Sequence, residues 1–359
     1  MLARKNSLIH PLAGEVELPL LIPAFSSKGF AFIKAKEKEG FRQYSELANV
    51  FNALSTYLTN SVLVSAYDIH HSHFLAPKAK NNDIIKVLKK PRLVFLDSGG
   101  YELVEQFDST ENMIYPYTPK DGFGYEQYEK VISEYMSKKG NIHFIISNFD
   151  YSTKGNPLDK QISDARSLFR KFPDALNDFI MKPFIKNSRH YHDFSCLSKK
   201  DFKDLRGFNI IGVTEKELGK KIIDRIKNIS LLRKGLNDAG VNSPIHVWGG
   251  LDPTITPLYY FAGAEIFDGV SWLRYSYKNG IALCRESYSI IEPKISIEES
   301  LDVSRLLSWI DNIRYLDRLG ILLRQWLDLG GQDFSVFDDF VKNHLERAYK
   351  IMHTRISEI

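Results

Sequence analysis

Short apolar runs, most of them closed by a polar residue or a glycine, recur along the chain with stretches of helical spacing between them. Leu18–Phe25 reads as a first strand, its prolines near the ends where a strand tolerates them. Phe41–Leu58 carries apolar residues at helical spacing: Leu47, Val50, Phe51, Leu54 and Leu58. Ser61–Ala66 is a second strand, Asp83–Lys89 a short helix, and the run from Leu93 to Leu96 a third strand. A long loop, Phe107–Gly124, precedes a helix over Tyr125–Lys138 and a fourth strand at Ile142–Ser147. Leu158–Phe172 is helical and Phe179–Phe184 is a fifth strand. Phe208–Val213, Ile245–Trp248 and Ala264–Val270 give strands six to eight, with a long helix over Glu217–Ala239 between the first two. Beyond Ile297 the pattern changes to helices alone, Glu298–Leu327 and Phe337–Ile356.

Eight short strands, mostly separated by helices, predict an α/β fold, a (β/α)8 TIM barrel with a C-terminal helical appendage. Residues 1–296 would form the barrel domain and 297–359 the appendage. A doubly wound open sheet is the competing architecture, but no G-x-G-x-x-G turn follows the first strand. In a barrel the carboxyl ends of the strands converge on one face, and polar or glycine residues stand there: Asp68, Asp97, Asp150, Thr214, Gly249 and Asp268.

Composition narrows the setting more than the function. The 359 residues are 43% apolar, ordinary for a globular chain, and no run approaches a membrane span. The first residues, Met1–Glu15, lack the apolar core of a secretory signal. Cys196 and Cys284 are the only cysteines, too few for a disulfide framework or an all-cysteine metal site, so a cytoplasmic location is expected. A net charge of +4 is too small to argue for a polyanion partner, so any affinity would come from a local patch. Arg305, Arg314, Arg318, Arg324 and Arg347, on the C-terminal helical segments, are candidates for that patch; a solvated face balanced by Asp302, Asp311 and Asp317 is the alternative.

The most informative stretch runs from Leu93 to Glu102, LVFLDSGGYE. A buried-type strand ends on a carboxylate and a hydroxyl, two glycines free the backbone, and a ring follows. An ordinary βα turn with Asp97 as a helix cap would have the same composition. Asp268, between Phe267 and Gly269, is harder to explain as packing, because an acid in an apolar strand is costly unless paired or useful. Asp150 could cap a turn before Gly155, and Tyr101 and Trp248 could be core aromatics. His70, His71 and His73 suggest a metal, but no further ligand set accompanies them, and a polar loop lining the cleft is preferred.

Asp97-Ser98-Gly99-Gly100-Tyr101 resembles the DSGG(F/Y) signature of the tRNA-guanine transglycosylases, enzymes that exchange a guanine in a polynucleotide for a 7-deazaguanine. Further segments resemble that family in order: Pro19–Gly29, Val62–His70, Asn148-Phe149-Asp150, Ile211-Gly212-Val213, Phe267-Asp268-Gly269-Val270 and Asn279-Gly280. The resemblance spans roughly residues 18–327. It departs from the family at Lys182-Pro183, where a glutamine is usual, and at Glu102, where a glutamine is also usual. The family's zinc-binding cysteines are missing, and Asp311-Asn312 stands where a ligand histidine and asparagine would be. The resemblance thus implies no metal and no cofactor, and an appendage held by packing alone.

What it implies chemically is a glycosyltransferase of the pentosyl class. Asp268 would be the nucleophile at C1′ and Asp97 the general acid/base. Substrate binding would fall to Ser98, Gly99, Tyr101, Asp150, Gly212, Val213 and Trp248. Tyr101 and Trp248 would sandwich a flipped purine, Asp150 would accept from its N1–H and amine, and the Gly212–Val213 backbone would meet its O6. The implied partners are a nucleic acid, DNA ahead of tRNA, and a 7-deazaguanine such as 7-cyano-7-deazaguanine, with a homodimer or a partner-protein complex left open. Two other classes compete: a non-catalytic nucleic-acid-binding subunit, and a barrel enzyme cradling a phosphorylated small molecule on Gly249-Gly250.

Overall fold

The structure, a computed structural model, describes residues 2–37, 40–76, 81–104, 117–138, 140–151, 155–184, 190–293 and 298–357. Much of the predicted loop over Phe107–Gly124 and the predicted boundary at residue 296 lie outside the described residues.

Eight parallel strands close into a barrel in sequence order: β1 Leu20–Phe25, β2 Ser61–Ser65, β3 Leu93–Asp97, β4 Phe144–Ser147, β5 Leu176–Met181, β6 Ile210–Thr214, β7 Ile245–Trp248 and β8 Ile266–Gly269. Closure comes from β8 pairing with β1, with Asp268 opposite Ile22. The period-two alternation of each strand splits the molecule into two apolar layers. Ile22, Leu63, Phe95, Ile180, Ile210 and Ile266 fill the barrel interior, and Trp248 lies with them. Val64, Leu96, Phe179, Val213, Val247 and Phe267 face outward into the larger core under the helices.

The predicted fifth strand moves back by three residues: Leu176–Met181 pairs on both sides, and Pro183, which has no N–H to give, lies beyond it. The predicted helix over Phe41–Leu58 shortens to Leu47–Leu54, because Gly40–Ser45 instead pairs with Phe32–Glu37 as a hairpin. Two further hairpins escaped the periodicity. One, Ser7–His10 with Gly14–Glu17, sends Leu8 and Val16 into the inner apolar layer and plugs the amino end of the barrel.

At that end Glu265, just ahead of β8, accepts from Arg4 Nε at 3.0 Å, Asn6 Nδ2 at 2.8 Å and Arg233 Nη2 at 2.9 Å. Arg233 lies on the helix Ile222–Asp238 and is fully buried; burial pushes it down to about 10, against the pull of Glu265.

Beyond β8 come a short helix, Ser271–Arg274, and a hairpin of Ser276–Lys278 with Ile281–Leu283. The long helix Leu301–Asp328 lies across them and against β1, where a Cβ on Gly320 would sit in ordinary van der Waals contact with Leu21 and Pro19 O. Packing is not its only attachment. The buried Asn312 amide donates to Trp272 O at 2.6 Å and Tyr275 O at 2.7 Å and accepts from Tyr277 N at 2.6 Å. Trp309 Nε1 donates to Leu273 O at 3.0 Å. A last helix, Lys342–Ser357, packs beside it through Tyr349, whose ring contacts Trp326 and Phe261. Among the described residues no helix is long and apolar enough to cross a membrane.

Candidate active site

The carboxyl rim of the barrel gathers carboxylates. Asp97 ends β3, Asp150 follows β4, Asp178 lies within β5 and Asp268 within β8, and all of them are buried. Glu102, one turn past β3, is buried as well and accepts from Ser26 Oγ at 2.5 Å and Ser65 Oγ at 2.8 Å.

The two glycines after Asp97 have distinct steric reasons. Gly99 has φ +88°, and a Cβ there would lie 2.6 Å from the Tyr67 Cβ. A Cβ on Gly100 would lie 2.8 Å from Asp150 Oδ1, so the missing side chain is what lets Asp150 come in. Ser98 Oγ then donates to that same oxygen at 2.6 Å. The other oxygen of Asp150 pairs with Lys182 Nζ at 2.9 Å. Lys182 also lies 3.3 Å from Glu217 and donates to Thr214 Oγ1 at 2.9 Å. Burial weakens its charge, but Asp150 and Glu217 outweigh that and leave the ammonium raised above its ordinary value. A cation therefore stands where the resembled family has an amide.

Asp97 accepts from Gly99 N at 3.2 Å. Burial, then the charges of Asp150 and Asp268, lift its pKa to about 7. Asp268 has different surroundings. His246 Nε2 and Gly249 N both reach its Oδ1, each at 3.1 Å, and among the described residues Oδ2 carries no hydrogen bond. His246 is fully buried on β7, and its Nδ1 meets Asp178 Oδ2 at 2.6 Å. Burial pulls the imidazole down, but Asp178 and Asp268 outweigh it and lift it to about 9. Burial also raises Asp178, against the pull of the same imidazole.

The chain matches no protein-family model and no curated protein.

The remaining sequence candidates are placed as follows. Tyr101 is half-buried; Lys28 Nζ lies 4.4 Å over its ring, and Arg274 Nη2 donates to its hydroxyl at 2.9 Å. Trp248 is 8% exposed, inside the barrel, with its ring 4.4 Å from that of His246. The face turned to His246 is thus taken. Val213 points outward into the helix-covered core, so only its backbone is on the site side. Gly212 faces inward, and a Cβ there would lie 2.6 Å from Trp248 Nε1 and 2.7 Å from Asp178 Oδ1.

Asp68 lies apart from these acids, accepting from Ser27 N at 2.8 Å, Ser27 Oγ at 2.5 Å and His73 Nδ1 at 2.8 Å. His73 is thereby held by a carboxylate, and among the described residues no group of three or more His, Cys, Asp or Glu could hold a metal ion. Among the described residues the zinc of the resembled family finds no fitting donors. Asp311 accepts from Tyr288 Oη at 2.6 Å and Arg314 at 3.3 Å, and both cysteines are exposed without a disulfide.

Sequence reading singled out neither Asp178 nor His246. The signal was present: in ALNDFIM and IHVW the period of two puts Asp178, Ile180, His246 and Trp248 on one face of their strands. That face is the barrel interior, where branched aliphatics are the rule.

Proposed function

We propose that the chain is a base-exchange transglycosylase that works through a covalent Asp268–C1′ intermediate. The observation that carries this reading is the contrast between two buried acids on one rim. Asp97 titrates near neutrality, as an acid/base group should. Asp268 has one oxygen fixed by two N–H donors and the other without one, as an attacking carboxylate should.

In the first half-reaction Asp268 Oδ2 bonds to C1′ as the C1′–N9 bond breaks, and the departing guanine takes the proton of Asp97. In the second, the Asp97 carboxylate removes the N9 proton of a 7-deazaguanine. That nitrogen attacks C1′ and Asp268 leaves. Asp150, held by Ser98 and Lys182, would meet the N1–H and amine edge of the base. We take DNA ahead of tRNA as the polynucleotide, because the cysteine set of the tRNA enzymes is missing, and 7-cyano-7-deazaguanine as the incoming base. The phosphate-cradle alternative loses its donors: Gly249 N is directed at Asp268 and Gly250 N at Val247 O.

The test is a denaturing gel of protein incubated with DNA or tRNA, together with release of labelled guanine. Wild type should give a covalent band and Asp268→Ala none, with exchange lowered at least ~10⁴-fold. Asp97→Asn should keep a slower-forming band and lose exchange by ~10²–10⁴-fold. Wild-type guanine departure should fall as pH rises through about 7, where Asp97 loses its proton. A covalent band that persists in Asp268→Ala refutes the assignment.

A further inference from the structure

Polar groups in the interior of a barrel need a reason. Where β5, β6 and β7 run side by side, the inner layer holds Asp178, Gly212 and His246. Gly212 is paired directly with His246 across the sheet. The imidazole is enclosed on all sides. Asp178 from β5 takes Nδ1 at 2.6 Å, and Asp268 from β8 takes Nε2 at 3.1 Å. Trp248 on its own strand covers one face at 4.4 Å, and Phe95 from β3 meets it edge-on at 5.7 Å. The absent side chain of Gly212 leaves the room that Asp178 and the Trp248 indole occupy. Several elements thus converge on the orientation of one ring whose outer nitrogen reaches one oxygen of Asp268.

We infer that the Asp178–His246 pair is a positioning device for the Asp268 carboxylate, fixing Oδ1 so that Oδ2 faces the reacting carbon. Replacing an apolar layer by two acids and an imidazole costs stability, so a purely structural filler would be better made of aliphatic side chains. A carboxylate held by one backbone N–H alone can rotate about its Cβ–Cγ bond; a second donor on the same oxygen stops that rotation. His246 can serve both acids at once only while both ring nitrogens carry protons. With the imidazole lifted to about 9, it does so at neutral pH and loses one donor above that value. His246 and Asp178 do not touch the substrate in this scheme. Their effect on the reaction runs entirely through Asp268.

The inference rests on Asp268 being the nucleophile, so its test has an arm that needs no substrate. In protein labelled with ¹⁵N-histidine, the His246 ring should be protonated on both nitrogens at pH 7 and titrate near 9. Asp178→Asn and Asp268→Asn should each move that midpoint down by at least ~1 unit, since each removes a neighbouring carboxylate. In the activity arm, His246→Leu should slow covalent band formation ~10²-fold with KM for the nucleic acid unchanged, the scale of a small misplacement of a reacting group. His246→Gln, which keeps an N–H donor, should recover part of that rate and lose the fall in rate above pH 9. Circular dichroism and thermal unfolding check each variant; if His246→Leu does not fold, the wild-type titration and Asp178→Asn decide. A ring titrating near 6.5 and indifferent to both aspartates overturns the inference, as does wild-type band formation with an unchanged pH profile in His246→Leu. If wild type forms no band on any nucleic acid, the transglycosylase reading fails, and the titration still decides whether His246 holds Asp268.

Discussion

β8 passes between two very different electrostatic settings. At its amino end Glu265 is surrounded: Arg4, Asn6 and Arg233 supply donors, so the acid is compensated and the barrel floor is closed. At its carboxyl end Asp268 stands among Asp97, Asp150 and Asp178, with the buried His246 and the half-buried Lys182 in contact with some of them. In the first setting the donors offset the cost of burying the charge. The second raises that cost, and does so where open strand ends can present the acids to a ligand. The same strand thus carries one encircled acid at its amino end and a gathering of carboxylates at the other, a few residues apart.

The floor should give the largest change in stability. Glu265→Ala leaves the fully buried Arg233 without its carboxylate and should cost about 3–5 kcal/mol in urea unfolding, with activity per folded molecule unchanged. A loss below ~1 kcal/mol would mean that the two ends of β8 do not differ in this respect. The rim should respond with the opposite sign. A group whose folded pKa is raised stabilises the protein fully below its unfolded pKa, and that contribution is lost as pH rises through the folded value. For Asp97 the window runs from its ordinary 3.8 up to about 7. Asp97→Asn should therefore leave stability near wild type at pH 4 and exceed it by about 2–4 kcal/mol at pH 8. Equal effects at the two pH values would contradict the shift. Outside both regions the change should be smallest: Arg318→Gln breaks an exposed pair with Asp338 and should move stability by no more than ~0.5 kcal/mol. Arg305, Arg314 and Arg324 likewise meet carboxylates of this chain, at Glu46, Asp311 and Glu17. A salt-dependence measurement of binding in Arg318→Gln tests whether these helices also serve a polyanion; an unchanged slope assigns them to the fold.

The barrel was legible because every strand but β5 is a short apolar run ended by an acid, a hydroxyl or a glycine, and that punctuation survives without any knowledge of neighbours. Asp97 and Asp268 were legible for the same reason, as charges at the edge of or inside such runs. His246 and Asp178 were not, although they break the apolar face as plainly. Their meaning depends on β5, β7 and β8 meeting around one point, and a linear pattern does not carry that meeting. The hairpin at Gly40–Ser45 failed in another way: Leu47, Val50, Phe51 and Leu54 set a helical period that was carried backward into residues paired with Phe32–Glu37. Lys182 was visible only as a departure from a pattern. Its role in fixing Asp150 required the distance.

The long C-terminal helix reaches further into this account than its place in the chain suggests. The helix Ser271–Arg274 directly follows the strand that carries Asp268, and it is too short to satisfy its own last carbonyls. Trp309 and Asn312 do so from the side, donating to Leu273 O, Trp272 O and Tyr275 O. They act as a helix cap supplied from a distant part of the sequence. A clone ending near residue 300 would delete that cap and lay bare the wall of β1 on which Gly320 rests. The smallest piece of this protein that keeps the candidate site supported therefore extends through the long helix, wherever a domain boundary is drawn on paper.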